Sequence, residues 1–145
     1  MATALWRDPW LAIAVVAGPL VAGALGWQWG PALGAGHWTR PLPVLMAISV
    51  YPLLEELCFR GLLQGWLLER LPRRQAMGPS AANVLSSMAF AAAHLPSQAA
   101  AWAAATLLPS LLLGHLRERH DSLLLPITLH AYFNAGLIVA ALHGR

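Results

Sequence analysis

The chain has 145 residues, 58% of them hydrophobic and 10% charged, against about 45–50% and about 25% in ordinary soluble domains. All nine basic residues are arginines, the formal net charge is only +3, and three tracts (9–39, 75–116 and 122–144) carry no Asp, Glu, Lys or Arg over 31, 42 and 23 residues. This excludes the basic stripe of a nucleic-acid binder and points to an integral membrane protein, because about 20 apolar residues span the hydrocarbon core of a bilayer. The single cysteine, Cys58, excludes an internal disulfide and any multi-cysteine metal site.

The length suits one domain, 1–145. Spans this apolar are expected to be helical, since backbone groups must be satisfied within the segment, and the alternation of a membrane barrel is absent. The expected fold is an all-α, polytopic membrane helical bundle of about five transmembrane helices. The first runs from about Trp10 to Trp27, with Gly18-Pro19 as its kink. No positively charged run precedes it, so it reads as a retained span rather than a signal peptide. A Gly-, Pro- and Trp-rich loop, 28–40, leads to the second, about Leu42 to Leu68. The third covers about Ala76 to Leu95. Leu95-Pro96-Ser97 breaks the long uncharged tract, and the last two run from about Gln98 to Leu116 and Leu123 to Leu142.

Arginine placement gives this chain an orientation. Five spans put Arg7, Arg70, Arg73, Arg74, Arg117 and Arg119 on one side and leave Arg40 and Arg145 on the other. The arginine-rich side, with the N-terminus, is expected in the cytoplasm of a bacterial inner membrane or its equivalent. The seven tryptophans fall near expected span ends, where the interface anchors them.

Charged and titratable groups inside spans cost about 2.5–3.5 kcal/mol each on insertion scales and so need a partner or a purpose. The second span holds Glu55, Glu56 and Arg60. At about 100° per residue, Glu56 and Arg60 share a face and read as a structural ion pair, whereas Glu55 lies about 140° from Arg60. Glu55 therefore needs protonation or a polar cavity. Pro52, just upstream, frees a backbone carbonyl and favours a bend. Gly61 and Gly65 form a small-xxx-small step suited to close helix packing. The third span ends in Phe90-Ala-Ala-Ala-His94, and the fifth holds His130 and Asn134 one turn apart. Measured from the cytoplasmic helix ends at about 1.5 Å per residue, Glu55 lies ~20 Å deep, His94 ~25 Å, His130 ~11 Å and Asn134 ~17 Å. A carboxylate, two imidazoles and an amide meeting at such depths suit hydrolysis.

These residues resemble a known family. Glu55-Glu56-x-x-x-Arg60, Phe90-x-x-x-His94 and His130-x-x-x-Asn134, in that order on three spans, are similar to the three motifs of the CAAX protease and bacteriocin-processing family, also called the Abi family. The stretch from Gly114 to Arg119 leading through Ser122 into the last motif adds to the likeness, which covers about residues 42–140. The resemblance implies a glutamate-type intramembrane endopeptidase. Glu55 and His94 would activate a water, His130 and Asn134 would stabilise the oxyanion, and Glu56 with Arg60 would support the site, without a cofactor or metal. Its partners would be the lipid bilayer and a membrane-anchored or C-terminal-tail peptide. The compact chain resembles small bacterial members linked to C-terminal sorting tails, such as the JDVT-CTERM type, more than the longer prenyl-protein proteases. Two other readings stay open at this stage. One is a zinc peptidase with His94, His130 and Glu55 or Glu56 as ligands; the other is a non-catalytic immunity protein that binds and masks a peptide.

Overall fold

The computed structural model describes residues 7–29, 35–71 and 78–143, with the side chains of 25–29 left aside. Arg73, Arg74, Arg145 and the expected helix start at Ala76 lie outside the described residues. Six helices, and no strand, occur among the described residues: α1 (Pro9–Trp29), α2 (Pro41–Arg70), α3 (Ala81–His94), α4 (Ala100–Ala105), α5 (Leu107–His120) and α6 (Leu124–His143). A 3₁₀ turn, Ala35–His37, precedes α2.

The boundaries follow local chemistry. Asp8 accepts the Trp10 N–H at 2.9 Å, and Pro9 opens α1 at the position where a missing N–H costs nothing. Pro41 and Pro43 occupy the first turn of α2 for the same reason. Ser80 caps α3 by accepting the Asn83 N–H at 3.0 Å. The helix expected over 98–116 is instead two. Pro109, in the first turn of α5, has no N–H for the carbonyl four residues back, and the break falls at Thr106, whose hydroxyl donates to Ala103 O at 2.7 Å. Asp121 ends α5 in the left-handed region, φ 45°.

Within α2, ordinary helix alternates with wider π-helical turns at Met46–Val50 and Leu57–Leu63. Such turns are rare and concentrate at functional sites. Here they bracket Tyr51–Glu56, the stretch that carries Pro52 and both glutamates.

The chain divides into two compact units, Met1–Leu54 with Ile127–Arg145, and Glu55–Pro126. In the first, α6 contacts α1 through small residues. Phe133 lies where a Cβ on Gly18 would come within 2.6 Å of it, and Gly136 lies against Ala22. The Tyr132 hydroxyl donates to Val15 O at 3.0 Å, and Val15 is four residues before Pro19. It thus takes up the carbonyl that Pro19 cannot serve. Asn134, about 160° round α6 from Tyr132, donates through Nδ2 to Ala47 O of α2 at 2.8 Å.

The second unit is built on polar ladders with a four-residue step. Arg60 Nη2 donates to Ser110 O and Oγ at 3.0 and 2.9 Å, and Gln64 Nε2 donates to Gly114 O and Glu118 Oε1 at 3.0 and 2.7 Å. Both sequence numbers rise together, so this half of α2 runs parallel to α5. The α3–α5 pairing is antiparallel. Ser80 Oγ donates to Glu118 Oε1 at 2.5 Å, while Asn83 Nδ2 donates to Leu111 O at 2.8 Å. Gly114 is required at this crossing, since a Cβ there would overlap Asn83 Oδ1. The expected Gly61/Gly65 packing step is only half realised: a Cβ on Gly61 would reach Leu123 at ordinary contact distance, and one on Gly65 would meet nothing within 4 Å among the described residues.

The polarity is inverted relative to a water-soluble domain. Arg60, Gln64, Glu56 and Asn83 are among the largest fully buried side chains, while Leu20, Leu62, Leu108 and Leu124 stand outside. Two helices, Pro41–Arg70 and Leu124–His143, are long and apolar enough to cross a membrane. They match the expected second and fifth spans within two residues. α1 is apolar over Pro9–Ala24, and α3 and α5 have 14 residues each, about 21 Å of helix at ~1.5 Å per residue. Helix length therefore supports two full spans and leaves the expected count of about five resting on the sequence.

Candidate active site

The first motif begins where ordinary helix gives way to the π turn. Glu56 is fully buried and Glu55 half-buried. Glu56 Oε2 lies 3.2 Å from Arg60 Nε, and both side chains are 0% exposed. Taking two charges out of water is costly unless each is paired and hydrogen-bonded. Arg60 meets that demand with Glu56 on one edge and the Ser110 carbonyl and hydroxyl on another. The expected i,i+4 ion pair of Glu56 and Arg60 is therefore present.

Phe90 explains the second motif. Its ring lies 4.9 Å below the Arg60 guanidinium, meets Phe59 edge-on at 5.2 Å, and packs against the His94 ring at 4.5 Å. One buried aromatic residue thus holds Arg60 and His94 on its two sides. The His94 Nδ1 is 2.8 Å from Phe90 O. A carbonyl oxygen only accepts, so Nδ1 carries the hydrogen and, in the neutral ring, the lone pair is on Nε2. That tautomer suits a residue that accepts a proton or a water O–H at Nε2.

The third motif lies in the first unit. His130 is buried, 8% exposed, one turn before the half-buried Asn134. The Asn134 amide is oriented by chemistry: only its nitrogen can face the Ala47 carbonyl, so its Oδ1 points away from it.

The second unit therefore brings Glu56, Arg60 and His94 together through Phe90 and carries Glu55 beside them in sequence, and the first brings His130 and Asn134 onto one helix face. Sequence reasoning missed Gln64, Asn83, Ser80, Ser110 and Glu118 as partners of this core. A signal was present: Glu56, Arg60 and Gln64 repeat every four residues, as do Ser110, Gly114 and Glu118, the spacing of one helix face.

Residues 37–136 match the family described as type II CAAX prenyl endopeptidase, Rce1-like. The chain belongs to that family. The Rce1-like match takes in all three motifs, from upstream of α2 to two residues past Asn134, and leaves α1 outside it. No curated protein and no solved structure matches the chain. Membership makes this Rce1-like chain a protease of the CAAX intramembrane type, and, with its two long apolar helices, a membrane protein.

Proposed function

We propose that this protein is a glutamate-type, metal-independent endopeptidase that cuts a peptide bond near the C-terminus or membrane anchor of its substrate. Glu55, helped by His94 Nε2, takes a proton from a water whose oxygen attacks the peptide carbonyl carbon. The carbonyl π pair moves to oxygen, where His130 and Asn134 donate to the new charge. When the tetrahedral carbon collapses, the C–N bond breaks and the departing nitrogen takes the proton held by the Glu55–His94 pair. Glu56 and Arg60 take no part in these transfers; they hold the helix on which Glu55 sits.

The observation that carries this reading is the 2.8 Å contact of His94 Nδ1 with Phe90 O. With Nδ1 tied to Phe90 O, the ring presents its basic nitrogen away from its own helix, while Arg60 is occupied by Glu56. Family membership supplies the reaction class. The cytoplasmic placement of the arginine-rich loops and a short C-terminal tail as substrate belong to the same proposal.

The test is cleavage of membrane-anchored and C-terminal-tail peptides in detergent or nanodiscs by wild type and Glu55→Gln, with and without chelator. The expected outcome is chelator-insensitive cleavage by wild type and a loss of at least about 100-fold in Glu55→Gln, the range of a removed general base. Chelator-sensitive cleavage restored by zinc assigns the site to a zinc peptidase. Tight peptide binding without cleavage by either protein assigns it to a masking protein.

A further inference from the structure

The bond between Asn134 and Ala47 exists because of a proline one turn further along α2. In the wide turn Met46–Val50, the Tyr51 N–H donates to Met46 O, five residues back. Continuing that register, the donor for Ala47 O would be the N–H of residue 52. Residue 52 is proline, fully buried, and has none. The Ala47 carbonyl is left for a side chain, and Asn134 Nδ2 takes it at 2.8 Å. In hydrocarbon such a carbonyl is costly if unpaired, so the pairing is strongly favoured. The same device occurs on the other side of α6, where Tyr132 serves the carbonyl freed by Pro19.

An asparagine amide has two N–H bonds. With one fixed on Ala47 O, the direction of the other is set as well, and the rotation that would let the amide exchange N for O is blocked. We propose that Pro52 is a positioning residue: by denying Ala47 a backbone donor, it makes that carbonyl the anchor that orients the Asn134 amide. This rests on the oxyanion role proposed for Asn134. A donor fixed before reaction contributes more than one that must reorient, so the effect belongs in kcat rather than KM.

Pro52→Ala supplies the missing N–H, and the Ala47 carbonyl then has a backbone competitor for Asn134. The control is Pro43→Ala, in the first turn of α2, where no backbone acceptor waits for the new N–H. Two readouts are needed, the kinetic constants and the side-chain amide signals of Asn134 by NMR with their hydrogen exchange. In Pro52→Ala we expect kcat to fall roughly 10- to 100-fold, the scale of a small misplacement. KM should stay within about twofold, the melting temperature should not fall, and exchange of the Asn134 amide should speed up. Pro43→Ala should match wild type throughout. The proposal is overturned by wild-type exchange as fast as that of an unbonded amide, by an unchanged kcat in Pro52→Ala once the Asn134 signal has moved, or by a KM effect alone. The exchange experiment on wild type needs no variant to fold. If Glu55→Gln cleaves like wild type, the catalytic reading fails, and the NMR arm still decides the anchor.

Discussion

Arg60 illustrates how one residue serves stability and site together. It is the largest fully buried side chain among the described residues, held by Glu56, Ser110 and the face of Phe90. Arg60→Met should cost about 3–5 kcal/mol, because it leaves the Glu56 carboxylate buried without its counter-charge, whereas Glu56→Gln/Arg60→Met should cost less than that single change. Denaturant titration in micelles of both single variants and the pair measures the coupling. The pair itself is legible in the sequence from its four-residue spacing and the expense of charge in a span. Ser110 as its partner is not, because a serine among leucines reads as an ordinary helix residue and the contact spans fifty positions. Likewise Phe90 stands in the motif pattern, but its place between Arg60 and His94 depends on how α3 packs on α2, which no local periodicity encodes.

Among the elements, α2 and α6 are readable to within two residues at each end, since proline starts and long apolar runs mark them. The π turns are not readable. They widen the helix without changing composition, and they alter the angular step on which any face assignment depends. The split of the fourth expected helix follows from Pro109, whose effect falls one turn upstream of the proline itself. Glycines separate by element in a way the sequence does not show. Gly114→Ala should destabilise by about 1–3 kcal/mol through overlap with Asn83 Oδ1. Gly65→Ala should be neutral or stabilising by up to about 1 kcal/mol, because the space is open and alanine favours helix. Thermal melting in one detergent ranks the two against wild type, and equal melting points would refute the α3–α5 contact described for Gly114.

For the whole molecule, the distribution of polarity is the stronger membrane evidence, because composition says only that there are too many apolar residues. The structure adds that in the unit Glu55–Pro126 large apolar side chains face outward, with Leu62 73% and Leu108 75% exposed, while hydrogen-bonded polar side chains are buried. Such a surface calls for an apolar cover, which for a chain of this family with two long apolar helices is the bilayer. The protein should therefore remain in the membrane fraction after alkaline carbonate and be released by detergent; release by carbonate alone would contradict that surface. The motif residues are legible in the sequence as three expensive polar islands in apolar tracts. Their assignment to a protease needs the family, since a carboxylate, two histidines and an amide also suit metal binding.

The polar interior of the second unit has a meaning for supply as well as for stability. Hydrolysis consumes water, and hydrocarbon holds almost none. Along the Arg60–Gln64 ladder, Arg60 Nη1 and Gln64 Oε1 are buried with no hydrogen-bond partner among the described residues, one a donor and the other an acceptor. A water molecule is retained in a protein by groups of both kinds. The ladder that locks α2 to α5 thus also offers water one donor and one acceptor within an otherwise apolar stretch of chain.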